Sequence, residues 1–225
     1  MSADKPFASR PLTERLKSAK KRTQSSKAWL ERQLNDPYVR AAKTQGYRSR
    51  AAFKLREMDD KYHFLRRGAK IVDLGAAPGG WTQVAVERCG ENNVLGVDLQ
   101  PIDPIVGAVL LELDFMKAEA PDIIRSQLKG GVDAVVSDMA SPATGHRETD
   151  HLRVIGLCEA ALEFACEVLN PGGTFICKVL RGGTERLLLD TIKKRFGKVM
   201  HMKPPASRSD SSEMYVIGMN FKAPA

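Results

Sequence analysis

From residue 70 onward the chain alternates between short apolar runs and stretches of helical period. The runs are KIVDL (70–74), NVLGVDL (93–99), AVLLELD (108–114), VDAVVSD (132–138) and GTFICKVL (173–180). Between them, residues 80–89, 117–129 and 150–169 have the spacing of helices, and another helix is expected over 184–196. Strands that alternate with helices predict an α/β fold with a parallel sheet covered on both faces. The ending differs. KVMHMKP (198–204) and EMYVIGMN (213–220) flank a Ser-rich polar loop (206–212) with no helix between them, which predicts an antiparallel, hairpin-like close to the sheet. There is no internal repeat.

The first seventy residues have a different pattern. Residues 1–25 hold no apolar period and are expected to be flexible. Residues 27–44 are expected to be helical, with Trp29, Leu30 and Leu34 on one side. Asp36-Pro37 forms a helix start, Asp as cap and Pro at the first position. Residues 50–62 read as an amphipathic helix carrying Phe53, Leu55, Met58 and Tyr62. The expected organisation is a basic flexible extension over 1–28 and one folded domain over 29–225.

At 225 residues the chain is long enough to bury one large core. With 43% hydrophobic and 28% charged residues it is not a disordered chain. No apolar run reaches membrane-spanning length, and the N-terminal stretch has no apolar segment of a secretory signal. The four cysteines (Cys89, Cys158, Cys166, Cys177) form no C-x-x-C pair and have no histidine at metal spacing, so reduced thiols, no metal and a cytoplasmic location are expected. Charge adds a further point. The net charge is +8, yet residues 1–70 alone carry 19 basic and 7 acidic side chains, and the remainder is net negative. A basic arm on a mildly acidic body suits a polyanion such as nucleic acid, although a solubilising tail has the same composition.

Candidate chemistry clusters at the strand ends. The first strand leads into Asp73-Leu74-Gly75-Ala76-Ala77-Pro78-Gly79-Gly80-Trp81, a Gly-rich turn into a helix. Small residues let backbone approach a ligand. The turn lacks both the G-x-G-x-x-G fingerprint and the Lys-Ser/Thr of a phosphate loop, which argues against NAD and ATP. Asp98 ends the second strand, at a spacing suited to accepting hydrogen bonds from two ribose hydroxyls, and Asp114 ends the third. A strand-end aspartate often only caps a helix. Three acidic or Gly-rich strand ends in a row instead indicate a nucleoside-sized site on the carboxyl edge of the sheet.

The 73–81 segment resembles the cofactor loop of the FtsJ-type ribose 2′-O-methyltransferases, the RrmJ or RlmE family. So do DPYV (36–39), RSRAAFKL (48–55), DPIVG (103–107) and SDMA (137–140), in the same order, and the resemblance covers roughly 29–221. It implies a Rossmann-like class I fold, a mixed seven-stranded sheet with the last strand antiparallel. It also implies S-adenosyl-L-methionine as cofactor and RNA as substrate. The bacterial members most like this chain methylate a uridine ribose in the peptidyl-transferase (A-loop) region of 23S rRNA on the large (50S) ribosomal subunit.

The resemblance also carries a Lys-Asp-Lys-Glu tetrad, matched here by Lys54, Asp138, Lys178 and Glu213. The expected topology supports their convergence. Asp138 and Lys178 end neighbouring parallel strands, and Glu213 begins a strand running the other way, so all three reach one edge. Methyl transfer to a ribose hydroxyl needs alignment and removal of a proton. A lysine starts near ~10.4 and a useful base sits at ~7–8. Burial and a neighbouring cation lower it, and carboxylates oppose the shift. As the resemblance implies, Lys178 accepts the proton and orients the hydroxyl, Asp138 orients Lys178, and Lys54 and Glu213 complete the network. The same resemblance assigns Gly79 and Trp81 to the methionine end of the cofactor, Asp98 to its ribose, Asp114 to its adenine edge, and Asp138 to both cofactor and catalysis. Each residue alone could equally be an ordinary ion pair, or core packing in the case of Trp81.

Arg48, Arg50, Arg56, Arg66, Arg67, Lys193, Lys194, Arg195, Lys203 and Arg208 are candidates for RNA phosphates. The chain departs from the family pattern at Met139-Ala140-Ser141-Pro142, where the Pro is displaced by one position, and in its longer basic N-terminus. Two other functions remain open on sequence grounds: methylation of a tRNA anticodon loop, and a non-catalytic RNA-binding assembly factor. A small-molecule methyltransferase is disfavoured by the basic arm. A monomer is expected, with no membrane partner.

Overall fold

The computed structural model describes residues 23–142, 144–181 and 186–223. Its seven strands are β1 (Ile71–Leu74), β2 (Val94–Asp98), β3 (Ala108–Glu112), β4 (Val132–Ser137), β5 (Leu169–Leu180), β6 (Phe196–Met202) and β7 (Glu213–Phe221). They form one sheet in the order β3-β2-β1-β4-β5-β7-β6. The pairs among β1 to β5 are parallel, and β7 runs antiparallel to both β5 and β6. The mixed seven-stranded sheet with an antiparallel last strand is the expected one.

The helices are α1 (Gln24–Asn35), α2 (Pro37–Gln45), α3 (Ala52–Tyr62), α4 (Gly80–Cys89), α5 (Ala120–Gln127), α6 (Arg147–Val168) and α7 (Arg186–Arg195). Alternate strand positions feed two apolar layers, as a period of two requires. Val72, Leu74, Leu95, Val97, Val135, Phe175, Cys177 and Val179 pack with α5, α6 and α7. Ile71, Val94, Ala134, Val136, Ile176, Tyr215 and Ile217 pack with α2, α3 and α4. Phe164, Phe175 and Phe196 are among the side chains removed from solvent. Burying one such ring stabilises the fold by ~1.5–3 kcal/mol.

Several boundaries differ from expectation for local reasons. The single helix expected over 27–44 is two, broken at Asp36. A residue before proline is pushed out of helical conformation, and Asp36 is extended (φ −76°, ψ 117°), accepting from the Tyr38 amide as the cap of α2. α5 starts at Ala120, not 117, because Pro121 sits in its first turn. β5 begins at Leu169, paired with Val132 ahead of a bulge. The flexible extension expected over 1–28 needs correction at its end: α1 begins at Gln24, capped by the Thr23 hydroxyl, which accepts from the Ser26 amide. Residues 1–22 of that segment lie outside the described residues. Among the described residues, no helix is long and apolar enough to cross a membrane.

The order 3-2-1-4-5 changes direction between β1 and β4. Open α/β sheets bind ligands outside the carboxyl ends of such a pair. Gly75 follows β1 and Asp138 follows β4, and the Asp138 amide donates to the Leu74 carbonyl at 3.2 Å.

Candidate active site

The turn after β1 holds its shape because glycine stands at its tight points. Gly75 has φ +78°, and a Cβ there would lie 2.8–2.9 Å from Met139, so only glycine lets this turn and the 137–140 stretch touch. Gly79 has φ +112°, with Ile105 and Arg48 against the position a Cβ would take. Arg48 ties the turn down. Its guanidinium donates to the carbonyls of Pro78 (3.3 Å), Asp103 (2.6 Å) and Pro104 (2.8 Å). This arginine, a candidate RNA contact by sequence, is a structural clamp.

Beside the turn is a cleft of about 240 Å3, whose walls include Gly75, Asp98, Asp114, Phe115 and Met139. Asp98 accepts from the Ala77 amide (2.9 Å) and the Gln100 amide (2.8 Å), which fixes the carboxylate while leaving it acceptor capacity. Asp114 accepts from the Met116 amide at 3.1 Å. Trp81 is placed otherwise. Its indole N–H donates to the Ala51 carbonyl (2.8 Å), its ring packs against Tyr215 at 5.6 Å, and the residue is 3% exposed. The ring is core, not cleft wall, so only the Trp81 backbone is left to face the turn. Beneath the turn, Asp73 is fully buried, accepts from the Thr82 hydroxyl at 2.7 Å, and leaves Oδ1 without a partner among the described residues. Burial raises its carboxyl to about 7; the Thr82 bond opposes this, and the charges of Asp138 and Asp98 add to it.

The four tetrad residues meet. Lys178 Nζ lies 3.1 Å from Asp138 Oδ1 and 3.7 Å from Glu213 Oε1, and donates to the Asp138 carbonyl at 2.7 Å. Lys54 Nζ reaches Glu213 Oε2 at 3.1 Å. The sheet builds this directly. Leu180 pairs with Glu213 and Lys178 with Tyr215 across β5 and β7, while Ser137 pairs with Cys177 one residue before each of Asp138 and Lys178. Lys178 points to the α3–α4 face, opposite Cys177 and Val179, and its side chain is 5% exposed. Lys54 comes from the first turn of α3.

One member went unassigned in the sequence. Tyr215 is fully buried and its hydroxyl donates to Asp138 Oδ1 at 2.7 Å. Lys54 Nζ sits 5.7 Å from the centre of its ring. The available signal was its position two residues after Glu213, which puts both on one face of the strand. Burial raises the Tyr215 hydroxyl well above its ordinary value, and the Asp138 and Glu213 charges push it further, so it remains a donor. For Asp138, burial works upward, but the Lys178 and Lys54 ammonium groups and the Tyr215 hydrogen bond outweigh it and hold the carboxyl below its ordinary value. The result is an ionised aspartate that fixes the Lys178 amino group in a largely buried site.

Of the other basic candidates, Arg50 and Arg208 meet at Asp36, and the rest are dispersed. Arg50 pairs with Asp36 at 2.7 Å and donates to the Ala206 carbonyl. Arg56 donates to Gln45, and Lys203 to the carbonyls of Ser209 and Ser211. Arg66 and Arg67 line a cavity with Gly172 and Thr174, at the opposite edge of the sheet. Lys193 lies 3.8 Å from Asp190 on α7.

Residues 47–221 match the family model described as FtsJ-like methyltransferase. A protein of Paramagnetospirillum magneticum named ribosomal RNA large subunit methyltransferase E is 56% identical over 220 residues, covering 95% of this chain and 90% of its own. One of the same name from Parvibaculum lavamentivorans is 55% identical over 224 residues, covering 95% and 88%. Among solved structures, a protein of Plasmodium falciparum described as a ribosomal RNA methyltransferase superposes with a TM-score of 0.70 at 32% identity. The superposition covers 79% of this chain and all of that one.

Proposed function

This chain belongs to the FtsJ-like methyltransferase family, and we propose on that premise that it methylates the 2′-hydroxyl of a uridine ribose in the peptidyl-transferase loop of 23S rRNA, on the large ribosomal subunit. The observation that carries the reading is the Lys54–Glu213–Lys178–Asp138 network, whose Asp138 directly precedes the cleft-lining Met139. Relatives named as large-subunit rRNA methyltransferases, matched over nearly their whole length, support the substrate. The proposed organisation is a basic N-terminal extension followed by a methyltransferase domain over 29–225, in a monomeric cytoplasmic protein.

The proposed cofactor is S-adenosyl-L-methionine. The cleft suits it: Gly75 gives close backbone approach, Asp98 and Asp114 offer acceptors, and Asp138, held ionised next to the cleft-lining Met139, favours a cation. When bound, it supplies an electrophilic methyl group on a sulfonium. Asp98 would hold the ribose hydroxyls, Asp114 the adenine edge, and Gly79, the Trp81 backbone and Asp138 the methionine end. Lys178, in its neutral amine form, would hold the substrate hydroxyl and take its proton as the methyl moves, which returns it to the ammonium that Asp138 and Glu213 pair with. Asp138 keeps that lysine in place, and Lys54 with Glu213 fixes the far side of the network. Exclusion of water from a site this buried strengthens each of these interactions.

Tyr215→Phe tests the inner support. It keeps the ring packed and removes the donor on Asp138. A hydrogen bond to a charged group is worth ~1.5–3 kcal/mol, and part of it acts on the geometry of Lys178, so kcat should fall by about tenfold. Since the Tyr215 bond helps hold Asp138 low, the acidic limb of the rate profile should move to higher pH. An unmoved limb with normal kcat would remove Tyr215 from the machinery.

The function itself is tested by methyl transfer from labelled S-adenosyl-L-methionine to large subunits from methylation-deficient cells, to naked rRNA and to tRNA in parallel, with mass-spectrometric mapping. Label on a uridine ribose of large-subunit rRNA is expected. Label on a tRNA anticodon loop, or none despite bound cofactor, overturns the assignment.

A further inference from the structure

The tetrad has a cavity at each end. Asp138 adjoins Met139 and Ala140, which line the cofactor-sized cleft. Lys54 and Glu213 line a second cavity of about 420 Å3, whose other walls include Arg32, Arg50, Arg208 and Asp210. Four cations therefore surround a space that opens directly beside the reacting centre.

Their present partners differ in strength. Arg50 is fixed by Asp36 at 2.7 Å and by the Ala206 carbonyl, and its Nε is buried without a hydrogen-bond partner among the described residues. Arg208 comes only to 3.6 Å of the same Asp36 oxygen, so two guanidiniums share one carboxylate that also caps α2. Burial lowers the Arg50 guanidinium and the nearby Arg208 charge adds to that, while Asp36 opposes both. Arg32 meets Asp210 at 3.3 Å, with side chains 54% and 64% exposed. A pair so exposed holds weakly, and a stronger anion can displace it.

We propose that this cavity seats a backbone phosphate of the RNA strand that carries the target ribose, held by Arg32 and Arg208, with Asp210 as the anion it displaces. The proposal rests on the RNA reading above and names a part of the strand for it. Every ribose within a strand is flanked by phosphates, so a hydroxyl presented to Lys178 brings one beside Lys54 and Glu213. Guanidinium forks match phosphate oxygens in pairs. Arg50, clamped to Asp36 and Ala206, forms a wall of the cavity beside Arg208.

The test is binding of a fluorescein-labelled single-stranded RNA oligomer by anisotropy, across a salt series, which needs no methyl transfer. Arg32→Gln and Arg208→Gln should each weaken binding by about tenfold. Each should also reduce the slope of log affinity against log salt by about 0.7, the value of one phosphate contact on a single strand. Arg208→Lys should restore the slope but not the full affinity, because charge is kept and the fork is lost. Asp210→Asn should tighten binding, the opposite sign. Lys129→Gln, an exposed charge removed at the other edge of the sheet, controls for net charge. Melting temperatures within a few degrees of wild type would separate lost contacts from lost folding.

An Arg32→Gln/Arg208→Gln double variant that binds with wild-type slope, or falls no further than Lys129→Gln, overturns the proposal; so does a wild type that binds no RNA at low salt. Methyl transfer measured on the same proteins reads the function separately. Binding lost in the variants, with no transfer even by wild type, keeps the phosphate seat and removes the enzymatic assignment. Transfer by wild type with binding unaffected in the variants does the reverse.

Discussion

Lys178→Ala should lower kcat for methyl transfer by about 10²–10⁴-fold, the range for removing a positioned proton acceptor, while cofactor binding stays within a few-fold of wild type. The lysine touches the Asp138 carboxylate, the Asp138 carbonyl and Glu213, and none of these contacts belongs to the cleft at Asp98 and Asp114. Its loss therefore falls on the transition state more than on the cofactor. The alternative is trivial unfolding, since taking one partner out of a buried ion pair costs about 3–5 kcal/mol. Asp138 keeps the Tyr215 hydroxyl, and Glu213 keeps Lys54, which limits that damage. Lys178→Met fills the same space without charge and distinguishes the two: equal inactivity with a melting temperature near wild type places the loss in chemistry. Single-turnover transfer and isothermal titration of the cofactor measure both halves. Transfer by Lys178→Ala at the wild-type rate would end the assignment.

The architecture was legible because the strands from residue 70 to 180 are short apolar runs separated by helical periods, and because no helix parts the last two strands. The tetrad was legible for a topological reason. Lys178 interrupts an apolar strand, Asp138 follows its neighbour, and Glu213 opens the antiparallel strand, so register alone brings three of the four to one edge. Lys54 was visible only by resemblance, since one lysine among many basic neighbours carries no signal of its own. What sequence could not give was the use made of each side chain. Trp81 sits in the cofactor motif, but its ring packs on Tyr215. Arg48 and Arg50 looked like RNA contacts, yet one clamps the cofactor turn and the other binds Asp36. Arg32 drew no attention, because its meeting with Asp210 joins residues 178 positions apart. Such pairings are set by the loop before β7 folding back on α1, and no periodicity encodes that.

Asp138→Asn should be the second severe change, and its effect should carry a pH signature. The amide keeps the shape and can still accept from Tyr215, but it offers Lys178 no charge. About 10²-fold or more in kcat should be lost if Lys178 needs that anchor, and affinity for a cationic cofactor should fall as well. Stability responds separately. Burial alone would raise the Asp138 carboxyl, yet Lys178, Lys54 and the Tyr215 bond hold it below its ordinary value. For an acid depressed in the folded state, the unfolded chain binds its proton first as pH falls. Its contribution is thus complete above the unfolded value of ~3.9 and is lost as pH drops through the lower folded one. The stability gap between wild type and Asp138→Asn should therefore be constant from neutrality down to about pH 5 and shrink below about pH 4. Urea unfolding at pH 7, 5 and 3 measures it. A gap that widened toward acid would mean the carboxyl is held neutral rather than ionised, and a neutral Asp138 could not anchor the lysine on which the transfer depends.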